Sequence, residues 1–128
     1  MDPIADMLTS LINAQRAGKK RVAMPYSNFK KSLLDFLVQK GVVSHVRVQE
    51  SPKAKLVVTL SYTDNGQPQI RGVKRISKPG RRVYASAKDI PFTYSKIGMI
   101  VVSTPQGLVD DIQARREKVG GELICAVW

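Results

Sequence analysis

The sequence predicts an α/β protein, more narrowly α+β, of two small lobes: an N-terminal α-β-α-β-β layer over residues 1–64 and a mainly β C-terminal lobe with one helix over residues 65–128. Three observations carry that prediction. Apolar residues recur at helical spacing in two N-terminal segments, the period shortens to about two after residue 42, and Asp64-Asn65-Gly66 punctuates the chain near its midpoint.

Asp2-Pro3 opens the first helix as cap and first helical residue, where the N–H that proline lacks would have been an orphan donor. Ile4, Met7, Leu8, Leu11 and Ile12 fall on one face, and Gly18 supplies the stop. A short strand over residues 21–24 closes at Pro25. Ser27 then caps a second helix, which carries Phe29, Leu33, Leu34, Phe36 and Leu37 on its apolar side and ends at Gly41. Alternation at Val46 and Val48, and again at Leu56, Val58, Leu60 and Tyr62, predicts a hairpin. Two helices over one face of a three-stranded sheet complete this lobe.

The second lobe begins with a strand over residues 69–76, breaks at Lys78-Pro79-Gly80 and resumes as a short strand over residues 82–84. Residues 88–91 read as a loop, and the continuously apolar residues 97–103 as a buried strand. Thr104-Pro105-Gln106-Gly107 reads as a type I turn. A helix from Leu108 with Leu108, Val109, Ile112 and Val119 inward runs to Gly120-Gly121, and residues 122–128 make an apolar final strand.

Composition narrows the function. Against 10 Asp and Glu stand 21 Lys and Arg, a net charge of +11, so the natural partner is a polyanion. With 43% hydrophobic residues the chain can bury a core, which puts the excess charge on a folded protein and not on a disordered tail. One Cys and one His exclude an internal disulfide and a His/Cys zinc site, and a reducing cytoplasm fits. The most apolar run, residues 97–102, falls far short of the roughly twenty residues of a membrane span. No secretory signal is expected from Met1-Asp2-Pro3.

Between Arg71 and Arg82 the chain has Arg71, Lys74, Arg75, Lys78, Arg81 and Arg82 and no acidic residue. In a strand–turn–strand, alternate members of this set would form a row able to follow a phosphate backbone; the plainer alternative is a solvated face. Lys19-Lys20-Arg21 and Lys30-Lys31 are weaker versions of the same signal. Ser103-Thr104, followed by exposed backbone N–H groups at the expected join of a strand and a helix N-terminus, suits an anion or a polar RNA edge, although a capping turn needs similar residues. Tyr84 either stacks on an unpaired base or packs. His45 reads as a surface or half-buried imidazole, Asp110-Asp111 as helix-opening carboxylates suited to the dipole, and Cys125 as a core residue. No Walker loop, Rossmann fingerprint, nucleophile elbow or metalloprotease motif is present, so neither an enzyme nor a cofactor is expected. A small hydrolase at His45 or Asp110-Asp111 has no assembled site behind it, and a DNA-associated architectural protein rests on the net charge alone.

Three landmarks resemble one family. Asp2-Pro3-Ile4-Ala5-Asp6-Met7-Leu8-Thr9, the basic turn from Arg75 to Tyr84, and Gly98 through Val102, Ser103-Thr104, Gly107, Gly120-Gly121-Glu122 and Cys125-Ala126-Val127-Trp128 are similar in order and spacing to the bacterial small-subunit ribosomal protein eight family. The resemblance implies a two-lobed structural protein, cytoplasmic and ribosomal, that binds the central domain of 16S rRNA early in assembly. It implies RNA contact by Ser103, Thr104, Gly107, Tyr84, Gly121 and Glu122, and the charge of the basic turn adds Arg75, Lys78 and Arg82 to the expected contacts. Asn13, Lys19 and Lys30 would touch the same stem from the N-terminal lobe. Small-subunit proteins five and twelve are the implied neighbours, and the protein's own operon mRNA a second RNA target in some bacteria. Three departures stand out: Pro105 where the family usually has Ser, which removes a hydroxyl and stiffens the loop; Asp110 in place of Thr or Ser; and Ser10-Leu11-Ile12-Asn13 where many members carry Arg before Asn.

Overall fold

The computed structural model describes residues 2–91 and 98–128. In chain order these form α1 (Pro3–Arg16), β1 (Arg21–Pro25), α2 (Asn28–Gln39), β2 (His45–Gln49), β3 (Lys55–Thr59), β4 (Val73–Arg75), β5 (Tyr84–Ala85), a 3-10 turn at Ala87–Asp89, β6 (Met99–Thr104), β7 (Gly107–Asp110), α3 (Asp111–Glu117) and β8 (Gly121–Val127). Two compact units result, one of Pro3–Arg71 and one of Gly72–Trp128 with Asp2.

In the first unit β1, β3 and β2 lie side by side in that order, antiparallel throughout. The expected hairpin is β2–β3, and β1 adds to its far edge. α1 packs along β1 and α2 along β2. Leu8, Leu11, Leu33, Leu34 and Leu37 are buried, which is where the helical periodicity aimed them. The Ser27 hydroxyl accepts from the Lys30 N–H at 3.3 Å, so the cap is real, and Gly18 and Gly41 take positive φ at the two helix ends. Phe29 is the exception to the apolar stripe and is exposed. The Asp64-Asn65-Gly66 turn is closed by hydrogen bonds of Gly66 and Gln67 to Thr63. It lies inside this unit, because Gln69 N–H donates to the Ser61 carbonyl at 3.1 Å and Ile70 is buried.

The second unit is a sheet ordered β4-β8-β6-β7, with β5 also on β8. Residues 69–72 are not strand. β4 begins only at Val73, after Gly72 and Trp128 exchange both backbone hydrogen bonds at 3.0 Å. β4 pairs with Cys125–Val127 and β5 with Gly121–Glu122, so both lie on the same edge of β8. β6 pairs with the other edge of β8, and a bulge between Val101 and Val102 leaves Ile124 as the extra residue. Ile97, expected to start this buried strand, lies outside the described residues.

Gly107–Asp110 is a strand and not the first turn of a helix, which corrects the sequence reading. Leu108 and Val109 fit either period, and pairing with β6 decides the outcome: Val102 faces Val109 and Ser103 faces Leu108. α3 therefore starts at Asp111. The Asp110 carboxylate accepts from the Gln113 N–H at 2.7 Å, so Asp110 caps this helix. Ile112, expected inward, is 53% exposed, and Asp111 and Ala114 take the inward positions. Buried Asp111 accepts from Ile100 N–H at 3.1 Å and pairs with Arg115 at 2.9 Å. The helix ends at Lys118 in the left-handed conformation, φ 57°, two residues before Gly120-Gly121, which were expected to stop it. Ile90, Ile100, Val102, Val109, Ala114, Leu123 and Ala126 form the core on this side of the sheet.

Candidate nucleic-acid interface

Strand register assembles the C-terminal site. Tyr84 faces Glu122, Glu122 faces Ser103, and Ser103 faces Leu108, so one row crosses β5, β8, β6 and β7. Directly paired residues share a face. Val102, Val109 and Leu123 make the adjacent row on the core side, which leaves the Tyr84–Leu108 row on the opposite face. Tyr84 is 69% exposed, which favours stacking over packing for this ring.

Close strand approach requires Gly121. A Cβ there would lie 2.0 Å from the Ser103 carbonyl oxygen, and one at Gly120 would lie 2.4 Å from that of Ala85. The two glycines are kept small by β8's neighbours and do not stop the helix. Thr104 is buried: its hydroxyl accepts from Gln106 N–H at 3.1 Å and donates to the Gly107 carbonyl at 2.8 Å. Thr104 thus builds the β6–β7 turn, with Pro105 and Gln106 exposed at the tip and Gly107 at φ +118°. The loop is a β-hairpin turn, and no helix N-terminus stands behind it.

The basic segment has a different geometry from the expected strand–turn–strand row. β4 and β5 lie along one edge of β8, the flanking residues 76, 77 and 83 also bond to it, and residues 78–82 leave it as an excursion. Ile76 and Ser77 N–H groups donate to the Ile124 and Leu123 carbonyls, and Leu123 N–H donates to Val83 at 2.9 Å. Lys78 and Arg81 exchange backbone hydrogen bonds at 3.0 and 2.9 Å, which holds Pro79-Gly80 at an exposed tip. Ser77, fully buried, closes the neck: its hydroxyl donates to the Glu122 carboxylate and accepts from Val83 N–H at 3.2 Å.

The basic side chains divide. Lys78 and Arg81 are exposed at the tip, and Arg82, 48% exposed, reaches Glu122 at 3.3 Å. Arg75 points inward. Its guanidinium pairs with Asp2 at 3.1 Å and donates to the Ile124 carbonyl at 2.6 Å, with 8% of the side chain exposed. Arg75 is therefore a structural tie in place of a surface cation. Residue Asp2, at the far end of the sequence, is the reason, and no local pattern announces it. Ser77 was equally invisible as a lone hydroxyl between basic residues.

Asn13, Lys19 and Lys30 belong to the first unit, Asn13 and Lys19 exposed and Lys30 half-buried. The Lys19 carbonyl accepts from the Tyr62 hydroxyl, which ties the end of α1 to the segment after β3. His45 is exposed at the start of β2. Cys125 is buried, and burial pushes its thiol up to about 12, opposed by the charge of Arg75. Among the described residues no group of three or more His, Cys, Asp or Glu could hold a metal ion, and no helix is long and apolar enough to cross a membrane.

Comparison with known proteins bears on what this surface meets. A family model described as ribosomal protein S8 matches residues 2–128. Proteins named small ribosomal subunit protein uS8 are similar over nearly the whole chain. That of Finegoldia magna is 47% identical, with 99% of this chain and 98% of the relative covered. That of Salinispora arenicola is 44% identical, covering 99% and 97%, and that of Nitratidesulfovibrio vulgaris 45%, covering 99% and 98%.

Proposed function

The chain belongs to the ribosomal protein S8 family, and from that premise we propose that it binds the central domain of 16S rRNA through its C-terminal unit, from Gly72 to Trp128, and helps to assemble the platform of the subunit. It is a structural constituent of the small ribosomal subunit in the cytoplasm, a partner of rRNA and ribosomal proteins, and not an enzyme.

The observation that carries the proposal is the row Tyr84–Glu122–Ser103, flanked by the Pro105-Gln106 tip and the 78–82 excursion. It combines an exposed ring, a hydroxyl, a carboxylate with spare lone pairs and exposed cations at one sheet end. Lys78, Arg81 and Arg82 displace counterions from phosphates, a contribution indifferent to sequence. Ser103 and the Gly107 turn backbone read the shape of an irregular stem, because the A-form major groove is too narrow for side-chain readout. Glu122 already accepts from Ser77 and Arg82, and a carboxylate has about four acceptor sites, so it can still take a 2′-OH or a base amino group. Tyr84 stacks on an unpaired base. Thr104, Gly121 and Arg75 serve the site by shaping it. Asn13, Lys19 and Lys30 add contacts to the same stem, small-subunit proteins five and twelve are neighbours, and the protein's own operon mRNA is a second target where it carries a similar stem.

Filter binding of the full chain to a central-domain stem and to a scrambled stem of equal length tests this. The expected preference is about a thousandfold or more, the scale of specific nucleic-acid complexes. Equal, steeply salt-dependent binding to both stems would refute stem recognition.

A further inference from the structure

Glu122 is the acidic member of the row that crosses β5, β8, β6 and β7, and the excursion beside it carries the exposed cations Lys78, Arg81 and Arg82. Left free, its carboxylate would follow whichever cation lay nearest and hold no fixed direction toward a ligand. Ser77 removes that freedom. The residue has no solvent exposure; its backbone N–H donates to the Leu123 carbonyl at 3.0 Å, and its hydroxyl accepts from Val83 N–H at 3.2 Å. The one proton of that anchored hydroxyl goes to Glu122 Oε2. The Arg82 guanidinium reaches the same oxygen at 3.3 Å. Both donors therefore share Oε2, and no described residue donates to Oε1.

Charge then limits what Oε1 can take. It is an acceptor only, and it repels a phosphate oxygen as a like charge, which leaves a neutral donor of the RNA: a 2′-hydroxyl or an exocyclic base amino group. We infer that Ser77 is a positioning residue of the RNA site, which holds Glu122 by Oε2 so that Oε1 accepts from one such donor and turns phosphates away. The inference rests on the rRNA-binding function proposed above, and it gives a recognition role to a buried serine that touches no RNA. Glu122→Gln is the natural probe. Ser77 and Arg82 both donate, so the amide oxygen takes the place of Oε2 and the NH2 group that of Oε1, which turns the outward acceptor into a donor.

The test compares wild type, Glu122→Gln, Ser77→Ala and the double variant, each as the full chain and each checked for its fold by circular dichroism. Binding is titrated on the central-domain stem, on a scrambled stem, and on stems that lack one 2′-hydroxyl or one exocyclic amino group at a time. For wild type one such deletion should cost about ten- to a hundredfold, the scale of a hydrogen bond to a charged group, and the group deleted identifies the donor. Glu122→Gln should weaken binding to the intact stem by a similar factor and erase that penalty. Ser77→Ala should shrink the penalty to about threefold or less, while deletions elsewhere cost what they cost wild type. The double variant should bind the intact stem within about twofold of Glu122→Gln, since Ser77 acts through Glu122. Ser77→Cys keeps the shape and weakens both hydrogen bonds, so it repeats the comparison at a smaller loss of stability, with a penalty between those of wild type and Ser77→Ala. Serine variants that weaken every stem alike and keep the full penalty would make Ser77 structural only and overturn the inference. So would the absence of any deletion whose penalty Glu122→Gln erases. Equal binding of the wild type to the intact and scrambled stems is a separate result, which defeats stem recognition itself and takes the inference with it.

Discussion

Replacing Ser77 by alanine should open the neck of the basic excursion. The hydroxyl is the acceptor for Val83 N–H at 3.2 Å and a donor to Glu122, and the residue has no solvent exposure. Its removal leaves a backbone donor without its partner, at about 1–3 kcal/mol, and takes from a carboxylate a hydrogen bond of about 1.5–3 kcal/mol. Both losses pass through one oxygen, and Val83 and Glu122 keep partial access to water, so the net destabilisation should be about 2–3 kcal/mol. Urea unfolding reads that change directly. Native-state hydrogen exchange localises it: the amides of Val83 and Leu123, which close the neck, should exchange roughly thirty- to a hundredfold faster. Glu122→Gln keeps an acceptor for Ser77 and loses only the half-exposed pair with Arg82, so it should cost under about 1 kcal/mol. A Ser77→Ala protein within about 0.5 kcal/mol of wild type, with Val83 still protected, would refute the role given to this hydroxyl.

Further outcomes follow from the same contacts. Gly121→Ala would force a Cβ to within 2.0 Å of the Ser103 carbonyl; thermal melting should show about 1–3 kcal/mol of lost stability, and stem preference should fall with it. Asp111→Ala removes a buried carboxylate from Ile100 N–H and Arg115 and should destabilise by about 3–5 kcal/mol in urea titration. Cys125 stays protonated in the fold to about 12, whereas an unfolded thiol ionises near 9, so the unfolded state is the one that loses a proton in between. Stability from this group is therefore full below about 9 and declines by about 1 kcal/mol per pH unit as pH rises toward 12, a slope that Cys125→Ala should abolish in melts across that window.

Where local physics decided the structure, the sequence was readable. Ser27, Gly18, Gly41 and Asp110 act at helix ends through groups within a few residues, and each does what its residue type implies. Leu108-Val109 was ambiguous because two apolar residues satisfy both periods, and a nonlocal partner, β6, made them strand. Lys118 ends α3 in the left-handed region while Gly120 and Gly121 serve close packing, so the glycines marked a crowded strand and misplaced the stop. In the candidate site the sequence points to Ser103, Tyr84 and Glu122, and pairing on β8 sets them in one row. The sequence points to Thr104 and Arg75 as RNA contacts, whereas the structure commits their side chains to the turn and to Asp2, partners that periodicity cannot reveal.

Division of labour between charge and shape is best tested by Lys78→Ala and Ser103→Ala side by side, on the cognate and scrambled stems across a salt series. Lys78→Ala should weaken both complexes alike and flatten the salt dependence by about one unit. Ser103→Ala should keep the slope and narrow the gap between the two stems. If both variants shifted slope and preference in the same way, recognition would not reside in the Ser103 turn.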